Sequence, residues 1–171
     1  MQENVILVDE KDNEVGTAEK LTAHKEARLH RAFSIFVFNN KGDLMLQRRA
    51  LTKYHCGDLW TNTCCGHPRP EESLEKATHR RLGEEMGFDC QLEKMMETTY
   101  KVTFDNDLTE YEYLHVFRGI FNNDPTLNPD ETAEYKWMSL KAIEKDIEKN
   151  PKKYTPWFKM LLPKIIELQK Q

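Results

Sequence analysis

Gly66 to Phe88 reads GHPRPEESLEKATHRRLGEEMGF. Glycine and prolines at its start break regular structure. Ser73 then offers an N-cap, with Glu71 and Glu72 near the positive end of the helix dipole, and the pattern predicts a helix running to about Met86. Gly87 supplies the left-handed stop that ends many helices. Glu84 and Glu85 fall in the last turn, where the dipole disfavours each negative charge by roughly 0.3–1 kcal/mol. A cation removes that penalty. Hard oxygen ligands suit Mg²⁺, which takes one or two carboxylates and fills its shell with water and substrate phosphate, so the functional reading is a Mg²⁺-diphosphate site. The structural reading is a solvated acidic helix end in which Arg80–Glu84 and Arg81–Glu85 are exposed pairs of little energetic weight.

On either side of this helix the elements alternate. Residues 4–8 (NVILV) predict a strand and 17–27 a short helix. Ala32 to Phe38 (AFSIFVF) and Asp43 to Arg48 flank the turn Asn39-Asn40-Lys41-Gly42 and predict a hairpin. A short strand is expected at 59–63, ahead of Cys64-Cys65-Gly66-His67-Pro68, and further strands at 92–103, 111–121 and 134–138. Helices are expected at 139–148 and 156–170, the latter capped by Thr155 with Pro156 in its first turn and kinked at Pro163. Strands mixed with helices at the start, middle and end of the chain imply an α/β sandwich with a mixed sheet. The absence of repeats or low-complexity linkers implies a single domain over 1–171, with a core of about 28–145, an N-terminal strand extension and a C-terminal helical one.

Length and composition agree with that scale. One domain of ordinary size accounts for 171 residues, and 39% hydrophobic residues with 3 Trp, 6 Tyr and 8 Phe are enough to build its core. The net charge of −4 comes from mixed signs, so no basic stripe points to nucleic acid or an anionic membrane. No apolar run nears the ~18–20 residues of a membrane span, and MQENVILVDEKDNE lacks the basic-then-apolar layout of a signal peptide. A cytoplasmic protein is expected. Cys56, Cys64, Cys65 and Cys90 form no CxxC pair and are expected to be free thiols.

The spacing of the helical stretch is informative as a whole. Gly66 is followed after five residues by Glu72, after seven more by Arg80, and then by Glu84-Glu85, Gly87 and the apolar Phe88. This resembles the Nudix box, GX5EX7RxUxEExGU, at every fixed position but one: Arg81 stands where the hydrolases usually carry a glutamate. The resemblance implies a Nudix-type α/β/α sandwich with a mixed sheet, and the missing acid argues against water activation. Trp60-Thr61-Asn62-Thr63-Cys64-Cys65-Gly66-His67-Pro68 is in turn similar to the WTNxxCxHP signature of type I isopentenyl diphosphate isomerases, Nudix-fold enzymes that do not hydrolyse their substrate. His24, His30, Arg48-Arg49-Ala50 ahead of Lys53, Tyr100, Glu110-Tyr111-Glu112 and Tyr154-Thr155-Pro156-Trp157 have family counterparts in the same order, so the likeness covers nearly the whole chain.

Without the family, His24, His30 and His67 with Glu110 and Glu112 are an N/O donor set suited to six-coordinate Mn²⁺, Mg²⁺ or Zn²⁺. Glu110 and Glu112 lie two apart on an expected strand and so share a face, where their charges repel unless a cation intervenes. Singly, each of these histidines reads as a surface or core residue. His55, His79 and His115 are assigned structural roles, and Cys56 and Cys90 packing or surface roles.

The resemblance implies interconversion of isopentenyl and dimethylallyl diphosphates by adding a proton to one alkene carbon and removing one from a neighbour, for isoprenoid precursor biosynthesis, without flavin or nicotinamide. It assigns the proton transfers to Cys65 and Glu112, with Tyr100 assisting, and leaves open which of the two protonates. It ranks Cys65 above its neighbour Cys64, and the nearby positive charge is expected to suit the Cys65 thiol to proton exchange. Trp157 is the candidate to stabilise the tertiary carbocation through its aromatic face; its structural alternative is a core anchor. The resemblance nominates Lys20, Arg49, Lys53 and Arg81 for the diphosphate, together with Mg²⁺ on Glu85. The expected partner is a small isoprenoid diphosphate, and no oligomeric state is assigned. Two alternatives stay open: a Nudix hydrolase of a nucleoside or other diphosphate, and a metal-stabilised binding module without chemistry. The segment 122–130, NNDPTLNPD, reads either as a lid or as a plain loop.

Overall fold

The computed structural model describes residues 2–171. The strands are β1 (Asn4–Val8), β2 (Glu14–Glu19), β3 (His30–Phe38), β4 (Asp43–Arg49), β5 (Trp60–Thr61), β6 (Cys64–Gly66), β7 (Leu92–Thr103), β8 (Thr109–Ile120) and β9 (Thr132–Ser139). The helices are α1 (Lys20–Lys25), α2 (Leu74–Met86), α3 (Leu140–Lys149) and α4 (Pro156–Gln169), with a 3₁₀ turn at Pro151–Lys153.

The apolar run 32–38 has no polar alternation because β3 is buried on both faces. Phe33, Ile35 and Val37 pack with Met45 against Ala77, Leu82 and Met86 of α2. Ala32, Phe36 and Phe38 face the other way, onto Ile143 of α3 and Trp157, Phe158 and Leu161 of α4. The mixed sheet is therefore the middle layer of an α/β/α sandwich, as expected from the resemblance. β3 lies parallel to β8 over its whole length, from His30↔Glu112 to Phe38↔Ile120, while β7 runs antiparallel on the far side of β8. β3 meets β6 antiparallel, with Ser34 opposite Cys65.

Local signals hold at α2. Ser73 Oγ accepts the Lys76 amide, and Gly87 closes the helix at φ 69°. A Cβ on Gly87 would sit 2.1 Å from the Thr126 carbonyl oxygen, so the stop needs glycine for space as well as for backbone conformation. The 122–130 segment is tied to this helix end by amide bonds from Thr126 to the Met86 carbonyl and from Asn128 to the Glu85 carbonyl.

The expected helix at 17–27 needs correction. Only 20–25 is helical, and 14–19 is an edge strand whose mostly exposed residues carry no apolar alternation to betray it. Of the strand expected at 59–63 only β5, at 60–61, forms; Asn62 and Thr63 bond backbone carbonyls through their side chains, and the unexpected β6 follows at 64–66. Thr155 stands at the N-cap of α4 but donates to Thr61 Oγ1, making no side-chain cap bond. The helix continues through Pro163.

Candidate active site

Strand register assembles the centre. On three adjacent strands Tyr100 of β7 lies opposite Glu112 of β8, and Glu112 pairs with His30 at the start of β3. Glu110, two residues away on β8, is buried on the same face. His24 comes from α1, with its ring centroid 4.9 Å from that of His30, and His67 follows β6 at 5.0 Å from His30. His24, His30, His67 and Glu112 thus form one candidate metal cluster, to which Glu110 is adjacent through Tyr100.

Two of the rings are set for a metal by their other nitrogen. His24 Nδ1 lies 2.7 Å from the Lys20 carbonyl oxygen and His30 Nδ1 2.8 Å from that of Arg28, so each Nδ1 carries the proton and donates it. The Nε2 lone pairs then point inward, and both Nε2 atoms are buried without a hydrogen-bond partner. Burial holds His24 below the usual imidazole range and His67 at about 4, which keeps them neutral; in His30 the neighbouring Glu112 outweighs burial and raises it. Burial raises the Glu112 carboxyl, but the neighbouring His30 and His67 prevail and lower it. The inward Nε2 atoms of His24 and His30, buried without partners beside the Glu112 carboxylate, fit a divalent cation.

Tyr100 Oη lies 2.6 Å from Glu110 Oε2 and 2.8 Å from Glu112 Oε2, its one proton shared between them. Burial, reinforced by both carboxylates, keeps the phenol protonated. Cys64 and Cys65 alternate on β6: Cys64 enters the core beneath α2, while Cys65 lines the cavity that Tyr100, Glu112 and Trp157 also line. Ser34 Oγ is 3.4 Å from Cys65 Sγ, and Asn62 approaches the same sulfur at 3.3 Å. Burial is the largest influence on the Cys65 thiol and pushes it up to about 12, so it holds its proton.

The four nominated cations face the same cavity. Lys20 pairs with Glu3 at 2.9 Å, and Lys53 pairs with Glu131. Arg49 donates to the His55 carbonyl at 3.2 Å and lies 5.2 Å from the Trp157 ring centroid. Arg81 is clamped by Glu84 at 2.7 Å, by Glu85, and by Glu131 at 3.2 Å. Burial opposes its charge, and the carboxylates, led by Glu85, more than offset this. The Arg81–Glu85 pair is therefore not the exposed surface pair of the structural reading. Glu85 also accepts Gln47 Nε2 at 2.7 Å. Gly66 must be glycine for this packing, because a Cβ there would lie 2.7 Å from Phe33 Cζ and 2.9 Å from Arg81 Cγ.

Several participants escape sequence reasoning. Asn62 lies inside a quoted motif, which is the one available signal for it. Glu131, Glu3 and Ser34 carry no local signal. His55, assigned a structural role, lies in the site with Nε2 3.1 Å from Glu110 Oε1. His79 and His115 do lie elsewhere, paired with Asp89 and with Asp12 and Glu97. All four cysteines are free.

The chain matches the family model of the NUDIX domain over residues 28–158. It is 54% identical over 162 residues to Isopentenyl-diphosphate Delta-isomerase 2 of Photorhabdus laumondii, covering 95% of this chain and 92% of that protein. It is 49% identical over 164 residues to Isopentenyl-diphosphate Delta-isomerase of Burkholderia multivorans, with the same coverage of 95% and 92%. Among solved structures, a Deinococcus radiodurans protein superposes with a TM-score of 0.73 at 20% identity, covering 86% of this chain and 90% of that one. A MutT protein from Methanosarcina mazei gives 0.68 at 22% identity, covering 84% and 96%. At these identities the two solved structures speak for the fold alone. No helix among the described residues is long and apolar enough to cross a membrane.

Proposed function

The chain belongs to the Nudix family and, within it, to the isopentenyl-diphosphate Delta-isomerases, and from that premise we propose which residues carry the double-bond shift. The enzyme interconverts isopentenyl and dimethylallyl diphosphates. In the forward direction a proton joins the terminal alkene carbon, a tertiary carbocation develops at the branched carbon, and a proton leaves the carbon on its other side. The reaction needs two groups beside the carbon chain, one holding a proton and one able to take it. Cys65 and Glu112 line one cavity together with Tyr100 and Trp157, where burial favours the protonated thiol and the neighbouring imidazoles favour the ionised carboxylate. That juxtaposition is the observation that carries the reading.

Tyr100 links Glu112 to Glu110 and serves as a relay for the proton on that side. Trp157 lies on the cavity wall, buried, and presents an aromatic face, which stabilises a carbocation without attacking it. Lys20, Arg49, Lys53 and Arg81 bind the diphosphate, with Arg81 and Arg49 offering planar forks to its oxygens. His24, His30, His67 and Glu112, with Glu110 linked to them through Tyr100, would hold one divalent cation, Mn²⁺, Mg²⁺ or Zn²⁺, which when bound would orient Glu112 and tune its acidity. Glu85 holds Mg²⁺ that arrives with the substrate diphosphate.

The extensions belong to the same working unit: Lys20 and His24 come from before the family match at residue 28, and Trp157 comes from α4. We take the partner to be a small isoprenoid diphosphate, with no nucleic-acid or membrane partner, and the location to be the cytoplasm, where free thiols persist. Hydrolysis is disfavoured because Arg81 stands where the hydrolases usually carry a glutamate, which leaves the box one acid short for holding metal and activating water.

The test is proton NMR of the protein with isopentenyl diphosphate and Mg²⁺ in D₂O, with phosphorus NMR on the same sample. Deuterium-bearing dimethylallyl diphosphate with an intact diphosphate signal is expected. Release of phosphate, or unchanged substrate in Mg²⁺, Mn²⁺ and Zn²⁺ alike, overturns the reading.

A further inference from the structure

His55 sits in the loop between β4 and β5 with little exposure, yet nothing in the proton-transfer scheme uses it. Its ring stacks on Phe104 at 4.6 Å between centroids, 10° from parallel, and meets Trp157 edge-on at 5.8 Å. Nε2 is 3.1 Å from Glu110 Oε1, and the ring centroid lies 6.0 Å from that of His24. His24, His55 and Glu110 are close enough to form a second donor cluster beside the first. By position alone, His55 is a candidate fourth imidazole ligand.

The opposite nitrogen argues against ligation. In His24 and His30 a backbone carbonyl accepts from Nδ1 and leaves the Nε2 lone pair free for a metal. His55 Nδ1 is buried with no partner. A ligating His55 would need the proton on Nδ1, stranding a buried donor. With the proton on Nε2, 3.1 Å from Glu110 Oε1, only a lone pair is left without a partner at Nδ1. Glu110 then has Tyr100 bonded to one oxygen and His55 Nε2 3.1 Å from the other.

Resting on the metal site proposed above, we infer that His55 is a positioning residue: it donates from Nε2 to Glu110 and orients that carboxylate toward the divalent cation without ligating it. Its packing between Phe104 and Trp157 couples the metal cluster to the aromatic wall of the substrate cavity.

The test is made on the full chain loaded with Mn²⁺, without substrate. Pulsed EPR counts the directly coordinated imidazole nitrogens, and equilibrium titration gives the Mn²⁺ affinity of the wild type, His55→Phe and His55→Gln. Phe keeps the stacking and removes the donor; Gln places an amide N–H near the position of Nε2. Three coordinated imidazoles are expected in the wild type and in both variants. The affinity is expected to fall by about 10–100-fold in His55→Phe, the usual cost of losing a partner that orients a metal ligand, and to return close to the wild-type value in His55→Gln. Four coordinated imidazoles in the wild type would overturn the inference, and that count requires no variant to fold. Unchanged affinity in His55→Phe, or the same loss in His55→Gln as in His55→Phe, also overturns it. If the wild type binds no Mn²⁺, the metal site itself falls and the inference with it, whereas the NMR assay of isomerisation reports on the enzyme independently.

Discussion

Replacing Arg81 by Met removes the cation clamped among three carboxylates while nearly keeping its volume. The cost depends on what each carboxylate retains. Glu84 is 38% exposed and keeps Arg80 at 3.2 Å, and Glu131 keeps Lys53. Glu85 is 7% exposed and keeps only the neutral amide of Gln47. Stripping one partner from a buried ion pair typically costs about 3–5 kcal/mol, and with two of the three carboxylates still paired the lower end applies, ~3 kcal/mol. For a domain of this size that is a fall in Tm of roughly 6–12 °C, at about 2–4 °C per kcal/mol. Urea unfolding of wild type and Arg81→Met at neutral pH measures it. Added Mg²⁺ is expected to narrow the difference, because a divalent cation bound by Glu85 and its neighbours stabilises only the folded state. A loss under ~1 kcal/mol, or one that Mg²⁺ leaves unchanged, would refute the assignment of Arg81 as the resident counter-ion of the diphosphate–Mg²⁺ site.

Cys65→Ala is expected to lower turnover by about 10²–10⁴-fold while diphosphate binding persists, so retained turnover in the NMR assay removes Cys65 from the mechanism. Trp157→Phe should lower kcat with the fold intact; Trp157→Ala should also cost about 3–5 kcal/mol in urea unfolding, and an unaltered kcat in the Phe variant assigns Trp157 to packing alone. Gly66→Ala forces a methyl against Phe33 and Arg81 and is expected to cost about 1–3 kcal/mol, with a weakened substrate KM as the sign that Arg81 has moved. Glu3 is shifted from 4.5 to about 2 because Lys20 outweighs the opposing effect of burial. A carboxyl lowered on folding contributes stability that is complete above the unfolded value and is lost as pH falls through the folded one. The stability difference between wild type and Glu3→Gln should therefore close between about pH 4.5 and 2, and a pH-independent difference in acid unfolding curves counts against the pair.

Helix α2 was legible because its signals are local: a cap at Ser73, a stop at Gly87 and the acidic last turn lie within one short stretch. The strands that carry the centre were legible in their apolar runs, but β3 and β8 begin at His30 and Thr109, ahead of the expected starts at 32 and 111, so His30 and Glu110 fell outside the expected bounds. β2 was misread because an exposed edge strand needs no apolar alternation. His55 looked like any loop histidine because its partners, Glu110, Phe104 and Trp157, come from β8, the β7–β8 turn and α4.

The spacing within Gly66–Phe88 and Trp60–Pro68 carried the resemblance to the family and with it the α/β/α class, because those residues sit at fixed offsets in short stretches, and the same resemblance nominated Cys65, Tyr100, Glu112 and Trp157. Only the tertiary structure decided how they are tuned. The parallel register of β3 on β8 placed His30 beside Glu112, and burial left Cys65 a protonated thiol. Glu131 reached Lys53 across 78 residues and Arg81 across 50, and His55 came within bonding distance of Glu110. Protonation state and ion pairing depend on the distance to charge and on the exclusion of water, and both are fixed by packing between segments far apart in the chain.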